Sequence, residues 1–450
     1  MPSILQTFLA IGTFSVAYAA VIVPGATWTD TSGNVIQAHG GGFLKSGSTY
    51  YWHGEDKVHN SGLFRAVSCY SSSDLVTWTR QNDALTPISG TSISTSNIVE
   101  RPKVVFNQAN SEYVMWFHSD SSNYGAAQVG VATAKAPCGP YTYRSSFQPL
   151  GAQSRDMGLF QDDDATQTTY LLYASDNNQN FKISKLDANY YNVVSQTSVI
   201  SASTLESPGI IKRSGIYYLF ASHTTGWDPN PNKFFTASAL TGPWSAQADI
   251  APPVTRTYFS QNTFDILVNN NFGIYMGDRW RPSLLGSSRY MWFPLTWSSG
   301  KPQIVQADLW SLNLAAGTYS VASGVTYEAE SGTISGSATT LSDGSFSGGR
   351  AIGYLGNGGS ITINNVQGTG AAQWVALYYA NGDSTWRNTT VSVNGGSQVL
   401  VDQPNTGGGH VILSVPVKLT LRSGANSLTF GSGQSNYAAD LDRIIVYTAT

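Results

Sequence analysis

The chain has 450 residues, a formal net charge of −3, and only 11% charged residues, against about 25% in ordinary globular proteins. Its length exceeds one ordinary core, so two domains are expected. Without basic runs it has no electrostatic footprint for nucleic acid, and no such partner is expected. Aromatic residues reach 12% and glycines number 45, a mix that suits an all-β protein rich in turns and a neutral ligand such as a sugar, whose apolar faces stack on rings.

In chain order, the first segment reads as an export signal. Ile4 to Val16 is mostly apolar, and Ala17-Tyr18-Ala19 is a small-x-small cleavage site before Ala20, which predicts a signal peptide over residues 1–19. The apolar run is too short for a membrane span. The mature protein is expected to be secreted, soluble, free of membrane and monomeric. Two cysteines, Cys69 and Cys138, leave either one bridge or two free thiols open. Asn388-Thr389-Thr390 is an N-glycosylation sequon.

From about Gly40 a loose repeat begins. Aromatic strand-like runs start at Tyr50, Tyr113, Tyr170, Tyr217 and Gly273, which lie 63, 57, 47 and 56 residues apart. Several units close alike, on Thr77-Trp78, Gly139-Pro140-Tyr141 and Gly242-Pro243-Trp244. Each unit has room for a four-stranded antiparallel sheet, and repetition at this scale without amphipathic helices predicts a five-bladed β-propeller over residues 20–317. An irregular β-sandwich accounts for the composition but not for the repeated closing residues. Small and polar residues at 318–325 read as a linker, and short alternating strands over 326–450 predict a jelly-roll β-sandwich.

Propeller loops converge on an axis, so one acid from each of several blades meets the others there. Glu55, Glu100, Asp156, Glu206 and Asp278 are those acids, and one or two of them are expected to be structural partners of Arg101, Arg155 or Arg279. Glu206 precedes Ser207-Pro208-Gly209, which cannot continue a helix, and leads into a strand. Clustered acids beside Trp and Tyr are what glycoside hydrolysis demands: a protonated acid for the leaving oxygen, a second group to attack or to activate water, and a third acid to raise the first one's pKa.

The pieces Ala38-His39-Gly40, Tyr50-Tyr51-Trp52, Asp74 to Trp78, Ser154-Arg155-Asp156 and Leu205-Glu206-Ser207-Pro208 resemble glycoside hydrolase family 43 over roughly residues 25 to 315. Gly277-Asp278-Arg279-Trp280 and Glu100-Arg101-Pro102-Lys103 resemble most its branch that removes galactose from β-1,3-galactan. That resemblance implies an inverting enzyme with Glu206 as general acid and Asp156 as the group that raises its pKa. It also implies a base Asp after Ala-His, but this chain has Gly40-Gly41-Gly42 there. Gln261 is favoured as the water-positioning replacement, with Glu100 or Glu55 as the carboxylate alternative and otherwise as ligands for sugar hydroxyls. Tyr124, Asn178, Thr224, Trp227, Asp278 and Arg279 are further expected sugar contacts. No metal is expected in this site.

In the C-terminal domain, Tyr327-Glu328-Ala329-Glu330 and Leu441-Asp442-Arg443 lie on terminal strands that can pair. Glu328, Glu330 and Asp442, with backbone carbonyls of Ser347 and Arg350, suit Ca²⁺, a hard ion that takes oxygen ligands. With Ser347-Gly348-Gly349-Arg350 and Gly353-Tyr354, the layout is similar to family 35 carbohydrate-binding modules. Tyr354, Asn381, Gly382, Asp383, Trp386, Arg387 and Tyr437 are its expected sugar-binding residues, whereas Trp374 is expected in the core. The function implied is a secreted exo-acting galactan 1,3-β-galactosidase held on its polysaccharide by the module. The alternatives are an α-L-arabinofuranosidase or β-xylosidase of the same fold and an inactive lectin-like propeller.

Overall fold

The computed structural model describes residues 21–448, so the expected signal peptide lies outside the described residues. Each aromatic run is the second strand of a four-stranded antiparallel sheet, and there are five such sheets in succession. The second strands are Thr49–Glu55, Glu112–Ser121, Thr169–Ser175, Ile216–His223 and Phe272–Arg279. Two-residue turns join them to the first strands in the first, fourth and fifth sheets. Ser214-Gly215, both with positive φ, closes Leu205–Arg213 onto Ile216–His223, the turn whose twist matches that of the strands.

Apolar clusters fill the spaces between successive sheets. One packs Val67 and Cys69 against Met115 and Phe117, the next Val114 and Trp116 against Leu171 and Tyr173, and a third Leu172 against Leu219. Tyr218 and Phe220 pack with Tyr275 and Phe293, and Ile274 and Trp292 pack with Trp52, so the fifth sheet returns to the first. The first strands of the five sheets are likewise neighbours in a closed cycle, which is the arrangement of a propeller. Cys69 and Cys138 are bonded and tie the first sheet to the second. Among the described residues no helix is long and apolar enough to cross a membrane.

One local device recurs on the innermost strands. In the first, second and fourth sheets the register skips after His39, Glu100 and Glu206, so that two residues face one. The first residue of each bulge has positive φ: Gly40 (+59°), Arg101 (55°) and Ser207 (54°). Such a bulge re-aims the adjacent side chain. Proline at the second position of two of them, Pro102 and Pro208, removes an N–H that the broken ladder leaves unused.

The C-terminal part is two antiparallel sheets of six and five strands around one core, with Val375, Leu377 and Tyr379 from one sheet against Val391, Leu428 and Phe430 from the other. Residues 318–325, read as a linker, are largely strand. Thr318–Val321 joins Trp310–Asn313 and Val21–Ile22 in a small sheet, and Gly324–Glu328 already pairs with Asp440–Tyr447. Alternation too short to stand out among Ser, Ala and Gly hid these strands from the sequence.

The two halves pack directly. Asp308 accepts hydrogen bonds from Tyr378 and Tyr447 hydroxyls (2.7 Å each) and from Ser414 Oγ (2.6 Å). Arg281 pairs with Asp402 at 2.6 Å, and Arg256 donates to Asn405. Asp308→Ala would leave three hydroxyls facing a void and is expected to destabilise the protein by about 3 kcal/mol, read as a lowered midpoint in urea unfolding.

Candidate active site

At the centre of the ring a cavity of about 230 Å³ opens, lined among others by Glu55, Glu100, Tyr124, Asp156, Asn178, Glu206, Trp227 and Gln261. Four sheets and their loops thus deliver acids to one space. Glu206 and Asp156 share it.

The bulges decide where these groups point. After Glu206, the Ser207 hydroxyl turns to Asp156 and donates to its Oδ2 at 2.8 Å. After Glu100, Arg101 sends its guanidinium across the axis. It pairs with Asp156 Oδ2 at 2.9 Å, donates to Gln261 Oε1 at 2.6 Å, and reaches the Asn262 carbonyl at 3.2 Å. Its backbone N–H donates to Glu55 Oε1 at 2.9 Å. Gln261 Oε1 also accepts from Trp280 Nε1 at 2.8 Å, and its amide nitrogen therefore faces Glu206 Oε1 at 2.7 Å. Two donors on the oxygen fix which way the amide points.

The two key acids sit in opposite electrostatic settings. Burial pushes the Glu206 carboxyl well above the usual range, and the Asp156 charge pushes it further, against Arg101 and the Gln261 hydrogen bond. Burial also opposes ionisation of Glu100, but His118, Lys57 and Tyr124 overcome it and pull Glu100 down to about 2. His118 is raised to about 9, despite burial, by Asp120 at 2.8 Å and Glu100 at 3.4 Å. Glu100, His118 and Asp156 bring ligand-type atoms within 4.8 Å of one another. Glu55 is paired with Lys57 at 2.8 Å.

The chain can carry no side chain at Gly40: a Cβ there would lie 2.0 Å from Glu55 Oε1, at a φ of +59°. Glu55 occupies the space that an acid after Ala38-His39 would need.

Three expected contacts do not face the cavity. Asp278 is consumed within the wall, accepting from Gly40 N–H and Thr263 Oγ1 (2.7 Å each) and facing His39 at 3.3 Å. Arg279 points the opposite way, donating to the Tyr258 and Phe259 carbonyls. Consecutive strand residues project to opposite faces, so both could not have touched one sugar. Thr224 is held at the rim by its backbone, through the Thr204 carbonyl. Trp280, Arg155 and His118 line the cavity instead. Trp280 lies just past its strand and packs edge-on against Trp227 at 5.1 Å. The repeat Glu-x-Pro at Glu100 and Glu206 was a legible sign of matching bulges.

In the C-terminal domain Tyr354 and Tyr437 are exposed and form an edge-to-face pair at 6.2 Å. Arg387 pairs with the exposed Asp383 at 2.6 Å and donates to the Ala438 carbonyl, which brings Asp383 beside them. Gly382 is exposed on the same loop. Asn381 is buried and fastens that loop through the Thr385 and Gln403 carbonyls. Trp386 instead packs on Phe259 and under Arg281, between the domains, because its loop faces the propeller. Glu328 pairs in register with Arg443, and Ser347 bridges Asp442 Oδ1 (backbone N–H, 2.7 Å) and Glu328 Oε1 (hydroxyl, 2.8 Å). Glu330 lies close by: a Cβ on Gly348 would fall 2.9 Å from its Oε1. Arg350 opens the strand after Ser347–Gly349.

Comparison with known proteins agrees with this geometry. Residues 42–265 match the family model described as glycosyl hydrolases family 43, and residues 361–446 match one described as alpha-galactosidase, CBM13 domain. The latter is a carbohydrate-binding module under a number other than the 35 its motifs suggest. The chain is similar to the crystal structure of an exo-β-1,3-galactanase from Phanerochaete chrysosporium with β-1,3-galactotriose. Identity is 73% over 95% of this chain and 100% of that one, with a TM-score of 0.93. It is also similar to an exo-β-1,3-galactanase from Clostridium thermocellum (27% identity, 94% and 100% coverage, TM-score 0.64). A putative exo-β-1,3-galactanase from Bifidobacterium bifidum shares 35% identity (65% and 97% coverage, TM-score 0.60). No curated protein matches.

Asp156→Asn removes the charge that opposes Glu206 ionisation and frees Arg101 to favour it. The Glu206 carboxyl is expected to titrate about one pH unit lower, measured by ¹³C NMR of labelled glutamate.

Proposed function

The chain belongs to glycosyl hydrolase family 43, and it is a glycoside hydrolase with a C-terminal CBM13-like domain. From that premise we propose that it is an exo-acting galactan 1,3-β-galactosidase that releases galactose from β-1,3-galactan with inversion. The observation that carries this reading is Glu206, its carboxyl raised by burial and by Asp156, in a cavity it shares with Asp156 and Gln261, in a chain 73% identical to an exo-β-1,3-galactanase solved with galactotriose and with galactose.

Glu206 is the general acid that protonates the leaving glycosidic oxygen, and Asp156, held by Arg101 and Ser207, keeps it protonated. Gln261 positions the attacking water. Glu100, held near a pKa of about 2, is a poor proton acceptor at neutral pH, and Glu55 is committed to Lys57. Both are better suited to sugar hydroxyls, with Tyr124, Asn178 and Trp227. A sugar whose glycosidic oxygen reaches Glu206 must displace the Gln261 amide, and the displaced N–H then turns to a water.

We read the five sheets as five blades, residues 20–317 as the catalytic domain and 326–450 as a jelly-roll module that tethers the enzyme to its polysaccharide through Tyr354, Tyr437, Asp383 and Arg387. Export is supported by the Cys69–Cys138 bond, which oxidising compartments preserve. A Ca²⁺ ion in the module would be held by Glu328, Glu330 and Asp442 with the Ser347 and Arg350 carbonyls. Its support is that Glu328 Oε2 and Glu330 Oε2 are buried without a partner among the described residues. Burial, with the neighbouring acids, raises the Glu330 and Asp442 carboxyls, the latter against its pairing with Arg443.

The test is galactose release from β-1,3-galactan, followed by ¹H NMR. The α-anomer should appear first, and β-galactose first would overturn inversion. Glu206→Gln should lower kcat about 10²–10⁴-fold, and Gln261→Ala should fall with it; normal hydrolysis by Gln261→Ala would pass the water-positioning role to Glu100 or Glu55. For the module, free Ca²⁺ at about 100 times its Kd should stabilise by about 2.7 kcal/mol in thermal unfolding, an effect that EDTA reverses and Glu330→Gln abolishes.

A further inference from the structure

Arg279 is left over from the catalytic cavity, and its setting is unusual. It stands directly opposite Arg289 in the antiparallel register of Phe272–Arg279 and Arg289–Ser298. Like charges at opposed positions repel unless something neutralises them. Among the described residues neither guanidinium forms a salt bridge: Arg279 donates only to the Tyr258 and Phe259 carbonyls and Arg289 only to those of Ser287 and Ser288. Burial draws Arg279 down to about 10, and Arg289 adds to the shift.

Both line a second cavity of about 290 Å³ at the junction of the domains. Its wall also holds Lys418, Trp374, Trp386 and Asp402. Asp402 is already engaged by Arg281 at 2.6 Å. Lys418 lies over the Trp374 ring at 5.4 Å. Gly25, with φ +80°, keeps the approach to Arg279 clear, since a Cβ there would stand 3.2 Å from Nη1. The cavity therefore combines an excess of unpaired cations with two indole rings. Guanidinium groups take carboxylates in charge-assisted hydrogen bonds, and indole faces take sugar rings.

We propose that this junction cavity binds an acidic sugar, with the carboxylate of a uronic acid residue between Arg279 and Arg289 and its ring beside Trp374, since the Trp386 ring is already taken by Phe259 and Arg281. The site is separate from the catalytic cavity and does not depend on the galactanase reading.

The test is isothermal titration of the full chain with galacturonate, with its neutral methyl ester and inorganic sulfate as controls. Saturable binding of galacturonate is expected. It should weaken about tenfold in Arg289→Gln and measurably in Lys418→Ala, whose side chain is exposed and whose loss leaves the fold intact. Hydrolysis by both variants should be unchanged. The proposal is overturned if galacturonate does not bind, if both variants bind it as wild type does, if the methyl ester binds as tightly, or if sulfate displaces it at equal concentration.

Discussion

The structure depends on one guanidinium. Arg101 comes from the second sheet, yet its side chain and backbone hold Asp156 of the third, Gln261 and Asn262 of the fifth and Glu55 of the first. A planar fork can make these contacts at once because its donors diverge in fixed directions, which a lysine ammonium cannot imitate. The left-handed backbone at Arg101 is the condition for that reach, at a local cost of about 1–2 kcal/mol. The bulge that imposes it is repeated at Gly40 and Ser207, so the same backbone distortion serves three walls of one cavity.

From this centre the cavity divides electrostatically. On one side burial and Asp156 raise the Glu206 carboxyl; on the other His118, Lys57 and Tyr124 lower that of Glu100, against its burial. Two glutamates in matching positions of matching bulges are thus shifted in opposite directions. The difference comes from neighbours and not from the residue type.

The domain junction follows a different logic. It is polar and specific: a carboxylate with three hydroxyls, an Arg–Asp pair, and Trp386 wedged against Phe259. Such contacts hold the module in one orientation relative to the catalytic opening, and they enclose the cations of Arg279 and Arg289 that the catalytic cavity does not use.

Period-two alternation in aromatic runs is a local property, so the second strand of each of the five four-stranded sheets was legible from the sequence, as were the repeat and the acids Glu206, Asp156 and Glu100 with Gln261. Side-chain direction at a bulge is not local. The turning of Asp278 into the wall, of Arg279 toward the junction and of Trp280 over Gln261 depends on which strand end meets which neighbour. Likewise Trp386 carries the composition of a sugar platform but is covered by the other domain, and residues 318–321 became strand only because Trp310–Asn313 lay ready to pair with them. Residue types and their spacing carry the chemical groups and the aromatic strands, though not a strand such as 318–321 that forms by pairing. Which groups face one another is settled by the fold, because that rests on contacts between residues far apart in the chain, whose burial and charge shift each carboxyl.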